Sequence, residues 1–485
     1  MSLIVDLLSG VPDSKALDTR ISENIYDLEC YIHQHHRDLY NDIWDVDDSI
    51  VLSSQIIDDL DFSKPANTIF LTNLLDYSER FKLQSSFQVL HGIAEHNEIS
   101  LGSRHHAAYL FLLTIQVRED HLEIFDKIVI TLQKAFEEEE DDDVNVLVTF
   151  SNYLLNVIRN TAKIDSSIYL NILERIARYR ENSSSFLDKP YISEILERRH
   201  LAPSDIELQI QRQVEHLLTV DYIQLFTGNN QLMEESTEYA GVIHGLNPSF
   251  DSIRQYAFDK FNNLADDEKQ NIMISLQRGV KIIEDENSLY AYLTLYGRKH
   301  SIKLNDVLGH LSNLPSSVNL LDWACGQALA SMLFTEYLDS NHLSCAIKNL
   351  LLIEPSRSSL ERAALHSSFI GRCEKISTIH KDLDTLNNTD FSLKNGVPYV
   401  HLFSNILDVE AFNISHIQTL ISDTFNGENW FIITSPYIND KKRNRIQMFV
   451  NWFSERYADS FEYLYERDSV GTNPTMVNRI FKVIL

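Results

Sequence analysis

Between residues 15 and 230 apolar side chains recur every three or four positions, as in Ile21, Ile25, Leu28 and Ile32, and again in Ile168, Leu170, Ile172, Leu173 and Ile176. That period puts them on one face of amphipathic helices. Breaks fall at 61–65, 98–103, 137–143 and 181–190 and at Pro203. They leave segments of about 35 to 40 residues, close to the length of a two-helix repeat. An α-solenoid and an irregular helical bundle both fit this spacing, and both predict an interaction surface before an active site. The stretch 231–310 continues as a helical bridge. Within it GLNPSF (245–250) reads as a turn and then a helix start, with Ser249 and Asp251 near the first turn. YAYLTLYGRKHSIKL (290–304) follows as an amphipathic helix with its basic residues on the outer face.

After Pro315 the period changes. Short, nearly continuous apolar runs appear at 318–323, 349–354, 375–380, 398–403 and 429–434, with helix-like spacing at 327–338, 356–367, 412–424 and 442–457. Runs of this kind are what strands buried on both faces of a parallel sheet require. Alternation of strand and helix argues for a doubly wound, Rossmann-like α/β sheet. Two last runs, FEYLYE (461–466) and RIFKVIL (479–485), have no helix between them and are expected to pair as an antiparallel hairpin. The expected architecture is therefore an all-helical region (1–230), a helical bridge (231–310) and an α/β domain (311–485).

Composition supports the helical reading. The chain of 485 residues holds 14 glycines and 10 prolines, against roughly 34 glycines at average usage. A sandwich or propeller needs more turns than that supply allows. Charge is uneven: residues 1–250 carry 42 acidic and 19 basic side chains, whereas 251–485 carry 28 and 23. An acidic front half repels phosphate backbones and anionic membranes, which argues against nucleic-acid binding there and leaves a basic partner protein as the expected ligand. The run FEEEEDDD (136–143) reads as a solvated loop first and a docking strip second. Cys30, His33, His35 and His36 lack a second ligand pair at metal-site spacing, and no metal is expected there or at His105 and His106. Four unpaired cysteines read as reduced thiols. With MSLIVDLLSG lacking a signal-sequence pattern, and no apolar run of the ~18 residues a membrane span needs, they place the chain in the cytoplasm.

The chemistry sits at the strand ends. In an open parallel sheet, ligands bind beyond the carboxyl ends of the strands where the strand order reverses. The first strand runs into LLDWACGQALAS (320–331) and the second into LLLIEPS (350–356). An acid leaving the first strand, a glycine in the turn and an acid ending the second form a nucleoside-binding layout. Glu354 has two oxygens to offer a ribose.

Over residues 285–485 the chain resembles the class I S-adenosylmethionine-dependent methyltransferases. The resemblance is carried by DWACGQALA as the glycine loop, IEPS as the acidic second-strand end, HKDLDTL and FSNILD as the third- and fourth-strand ends, and the closing hairpin. It implies S-adenosylmethionine as cofactor. Asp322 and the loop positions Ala324, Gly326 and Ala328 would lie at its methionine end, Glu354 at the ribose and Asp382 near the adenine amino group. Ser404 and Asn405 would face the sulfonium and the substrate. The family pattern Asp-x-Gly-x-Gly-x-Gly is met here by Ala324, Gly326 and Ala328, so one glycine of three is kept. An alanine held at positive φ costs about 1–2 kcal/mol, and its methyl occupies space a ligand could need. The crossover to Glu354 is also longer than the ~20 residues usual for a nucleotide fingerprint.

No motif reads a methyl acceptor. TSPY (434–437) follows the fifth strand, not the fourth, and reads as a Ser-Pro turn. Candidate bases are His401, His300 and Asp408, and a histidine inside a buried strand reads first as a satisfied core residue. Two functions stay open: an active methyltransferase whose helical half recruits a partner, and a catalytically impaired methyltransferase-like scaffold in a multi-protein complex.

Overall fold

The computed structural model describes residues 2–34, 39, 42–138, 143–162, 166–182, 185–188, 190–197, 202–218, 238–276, 282–391, 393, 396–470 and 474–485. The side chains of Cys30 and His33, residues His35 and His36, and positions 139–142 of the acidic run lie outside the described residues. The chain divides into two units, one of Met1–Tyr222 with Ile438–Asn444 and one of Ile223–Tyr437 with Arg445–Leu485. No described helix is long and apolar enough to cross a membrane.

In the first unit the described elements up to Leu218 are helical. The helix Pro65–Phe81 begins at an expected break, with proline in its first turn, where a missing N–H costs nothing. It ends at Lys82, held left-handed at φ 58°, a break that no glycine or proline announces. Arg104 lies buried between Asp76 and Glu79, and its Nη1 donates to Glu79 Oε2 at 3.2 Å. His105 joins the cluster, its Nε2 2.8 Å from Asp76 Oδ1. Burial pushes the Asp76 carboxyl up, but Arg104 and the other cations around it hold it well below the usual range.

The second unit is built on a seven-stranded sheet. Helices α1 (Glu238–His244), α2 (Phe250–Asn262), α3 (Asp266–Ser275), α4 (Glu286–Leu295) and α5 (Gly297–Leu308) precede β1 (Ser317–Trp323). Then come α6 (Leu329–Ser340), β2 (Ala346–Ile353), α7 (Arg357–Ile370), β3 (Ile376–Ile379) and β4 (Tyr399–Ser404). The fold closes with α8 (Ile414–Thr424), β5 (Glu428–Ser435), α9 (Asp440–Arg456, of which Arg445 onward belongs to this unit), β6 (Glu462–Ser469) and β7 (Met476–Ile484). Ser249 caps α2 as its side chain accepts the N–H of Ser252 at 3.2 Å, where the turn signal had pointed.

The strand order is β3-β2-β1-β4-β5-β7-β6. The first five strands are parallel, and β7 runs antiparallel to both β5 and β6. The expected hairpin is present, with β7 inserted against β5 and β6 left as the edge. This is a Rossmann-like doubly wound sheet whose order reverses between β1 and β4. The helices of the bridge segment belong to the same core: Phe250, Leu293 and Val307 are buried in one cluster with Leu320, Val400 and Ile432. The alternation of strand and helix fails once. Among the described residues β3 connects to β4 through two 3-10 turns, Leu383–Thr385 and Asn388–Asp390, and no α-helix. Two side chains of the segment bond to nearby backbone, which competes with helix: Asn387 Oδ1 accepts the N–H of Thr389 at 3.0 Å and the Thr385 hydroxyl donates to the Asp382 carbonyl at 2.9 Å.

Candidate functional site

The reversal between β1 and β4 gathers most of the residues picked out from sequence. The loop after β1 takes the left-handed conformation at all three pattern positions, with φ 52° at Ala324, 52° at Gly326 and 65° at Ala328. Both alanines thus bear the backbone strain that glycine would avoid. Their methyls differ in setting. Ala328 is fully buried in the hydrophobic core, whereas Ala324 is half-buried. At Gly326 a methyl would meet nothing within 4 Å, so the loop faces open space there. Asn405, just past β4, is also left-handed at φ 57°. Three non-glycine residues with positive φ, Ala324, Ala328 and Asn405, thus follow β1 and β4 at the sheet's switch point, the setting in which stored backbone strain goes with function.

Two buried carboxylates hold the loop. Asp322 Oδ2 accepts from the Ser331 N–H at 3.1 Å and its hydroxyl at 2.7 Å, tying the end of β1 to the first turn of α6. Glu354, just beyond β2, uses both oxygens: Oε2 accepts the Gly326 N–H at 3.0 Å and Oε1 the Ser356 N–H at 3.0 Å. Burial pushes each carboxyl up to about 7; hydrogen bonds from Ser331, and from Ser356 and Gly326, offset only part of that desolvation. Asp322 and Asp382 push Glu354 the same way. Asp382 follows β3 and caps a 3-10 turn, its Oδ1 accepting the Asp384 N–H at 3.0 Å.

His401 does not reach this site. It lies inside β4, opposite Leu321 and Phe431, fully buried. Its Nδ1 accepts from Trp323 Nε1 at 3.2 Å and its Nε2 lies 2.9 Å from Asn429 Oδ1, so both nitrogens are occupied. Burial lowers its pKa to about 4. It is a core histidine and not a base poised for substrate. His300 packs on α5 beside Tyr292 and Tyr296. Asp408 is fully buried in the segment after β4.

Three residues beyond the sequence reading shape the site. Lys303 of α5 is fully buried, and its Nζ donates to Asn405 Oδ1 at 2.5 Å. Its signal was visible: Lys303 occupies the apolar face next to Leu304 and Val307, while Ile302 is exposed. Gln327, buried between two left-handed residues, donates from Nε2 to the Leu289 carbonyl at 3.0 Å. Its own carbonyl lies 3.0 Å from His366 Nδ1, and His366 Nε2 lies 2.7 Å from the Tyr239 hydroxyl. The last two arise from residues distant in sequence and have no local signature.

No family model matches the chain, and no curated protein matches it. Among solved structures it is similar to a protein of Listeria monocytogenes described as a candidate class I S-adenosylmethionine-dependent methyltransferase. That match has 11% identity and a TM-score of 0.29, over 48% of this chain and 80% of the other. It is similar also to the O-methyltransferase TomG of Streptomyces achromogenes, at 12% identity, TM-score 0.27 and 46% and 99% coverage. A third match is M. capricolum TrmK bound to S-adenosylhomocysteine, at 15% identity, TM-score 0.23 and 37% and 66% coverage. At these scores the likenesses carry none of the argument, which rests on the loop and the strand ends.

Proposed function

We propose that the second unit binds S-adenosylmethionine at the carboxyl ends of β1, β2 and β4 and acts as a methyltransferase. The observation that carries this reading is the left-handed conformation of Ala324, Gly326 and Ala328, with the Gly326 N–H pinned by Glu354. The donor set fits such a ligand. Asp322 and the 324–328 loop would hold its methionine end, Glu354 the ribose hydroxyls and Asp382 the adenine amino group. Ser404 and Asn405 would border the reactive methyl. The bound cofactor supplies an electrophilic methyl group, so the protein's part is to align an acceptor and exclude water. Asp322 and Glu354 sit close enough to neutrality to gain charge when a cationic ligand arrives.

The first unit, in this reading, recruits a basic partner protein through its acidic surface, and the chain works in the cytoplasm. A methyltransferase-like scaffold is the competing reading, and the two strained alanines favour it. Calorimetric titration of the full chain with S-adenosylmethionine and S-adenosylhomocysteine decides between binding and non-binding. Heat on titration and a rise in Tm support the proposal, because a ligand that binds the native state must stabilise it. Absence of both at millimolar ligand refutes it.

A further inference from the structure

We infer that the cavity where α1, α2, α4 and α7 meet binds the carboxylate of a small organic acid, with Arg362 as its anchor and Glu286 as the group the ligand displaces. The cavity encloses about 560 Å³, a size typical of small-molecule sites. None of the residues proposed to hold S-adenosylmethionine lines it, so it is a second site.

Its frame is a triangle of tyrosines, with the ring centroids of Tyr239, Tyr256 and Tyr290 each 5.9 Å from the other two. Each ring already carries a cation of the protein. The Arg362 Cζ lies 3.8 Å from the Tyr239 centroid and 4.5 Å from that of Tyr290, and Lys260 Nζ lies 5.5 Å from that of Tyr256. A positively charged ligand would meet these cations where it seeks a ring face. The rings therefore favour an anion.

Hydrogen bonding points the same way. The Arg362 side chain is 3% exposed, and its Nη2 donates to Glu286 Oε1 at 2.9 Å. That one oxygen also accepts the Tyr290 hydroxyl at 2.6 Å. Nη1 is buried and has no hydrogen-bond partner among the described residues. A guanidinium offers parallel N–H groups that match both oxygens of one carboxylate, and Glu286 serves a single end. The ring faces beside it are weak acceptors and do not replace the missing bond. A buried charged donor left unpaired is costly, so the guanidinium is set for an acceptor that spans both ends. The Glu286 side chain is 60% exposed and can turn into solvent when such an acceptor arrives. The other acids of the wall are offset. Glu361 pairs with Arg357 at 2.8 Å, and exposed Glu284 shares the cavity with exposed Lys260. Leu264 and Leu289 complete the wall, which gives the ligand's organic body an apolar surface.

The test titrates 2-naphthoate and 2-naphthamide, alike in shape and different in charge, into the full chain by calorimetry. Naphthoate should bind at least about tenfold tighter than naphthamide. Glu286→Gln removes the competing carboxylate and should raise naphthoate affinity several-fold while leaving that of naphthamide unchanged. Arg362→Met should abolish naphthoate binding. If that variant does not fold, Lys260→Gln, at an exposed position, carries the test and should weaken naphthoate several-fold. S-adenosylhomocysteine should not displace naphthoate. The inference is overturned if naphthoate fails to bind at millimolar concentration, if naphthamide binds as tightly, or if Glu286→Gln leaves naphthoate affinity unchanged. Displacement by S-adenosylhomocysteine also overturns it, since the anion would then occupy the cofactor site.

Discussion

Glu354 and Gly326, 28 residues apart in sequence, are joined by a 3.0 Å hydrogen bond from the glycine N–H to the carboxylate. This contact couples the end of β2 to the loop after β1, and the same carboxylate is the one a ribose would meet. Glu354→Gln keeps the shape but cannot accept on both sides, since one of its ends becomes an N–H facing a backbone N–H. The affinity for S-adenosylmethionine should fall by on the order of 2–3 kcal/mol, as expected for bonds to a charged acceptor. Calorimetry on the variant measures this directly, and an unchanged affinity would mean the cofactor binds elsewhere.

The two buried acids make a prediction about pH. Asp322 is raised from 3.8 to about 7 and Glu354 from 4.5 to about 7, both chiefly by burial. The folded chain therefore holds protons that the unfolded chain has lost between about pH 4 and 7. The stability due to these groups is full below their ordinary pKa values and disappears as pH rises through about 7. Asp322→Asn preserves an oxygen for Ser331 and removes the titration. Relative to the native chain, the ligand-free variant should gain stability as pH rises from about 4 to about 7 and level off above that, at on the order of a few kcal/mol. Urea denaturation at four pH values checks this; parallel native and variant curves would show that Asp322 does not titrate in this range. A cationic ligand should bind the native site more tightly at pH 8 than at pH 6.

The strained alanines should respond differently to glycine. Relief of left-handed strain contributes about 1–2 kcal/mol, and the extra freedom of the unfolded glycine takes back about 0.4–1 kcal/mol. At half-buried Ala324 the balance is positive, so Ala324→Gly should raise stability by roughly 0.5–1 kcal/mol. The Ala328 methyl lies in the core, and losing it costs about another 0.8 kcal/mol. Ala328→Gly should therefore be close to neutral. Thermal denaturation of the two variants distinguishes them, and equal gains at both sites would contradict the different settings of the two methyls.

Much of the second unit could be read from the sequence because its strands are buried on both faces. The run expected at 429–434 appears as Glu428–Ser435, and the one at 398–403 as Tyr399–Ser404. The acids and the loop were legible for the same reason: they end runs whose direction is unambiguous. What escaped depends on contacts between distant residues. The break at Lys82 has no glycine or proline to mark it, and the missing helix between β3 and β4 reflects side-chain bonds to nearby backbone. Lys303 was not singled out because its charge masks its position, although its neighbours Leu304 and Val307 put it on the buried side.

His366 offers the last test, since it connects the loop to α1. A carbonyl only accepts, so the 3.0 Å contact with Gln327 O makes His366 Nδ1 the protonated nitrogen. Its Nε2 must then accept from the Tyr239 hydroxyl at 2.7 Å. Burial lowers the ring's pKa to about 4, which keeps this single tautomer in place. The unfolded ring takes up a proton below about 6.5, so its contribution to stability is present above that pH and is lost as pH falls toward 4. Tyr239→Phe removes only the donor and leaves buried Nε2 unpaired, at about 1–3 kcal/mol. The freed ring can release Gln327, whose carbonyl lies between the left-handed Gly326 and Ala328. S-adenosylhomocysteine affinity should therefore drop several-fold in Tyr239→Phe, although the hydroxyl belongs to α1 and not to the ligand site. If Tm falls while that affinity is unchanged, His366 supports the fold alone and does not set the loop.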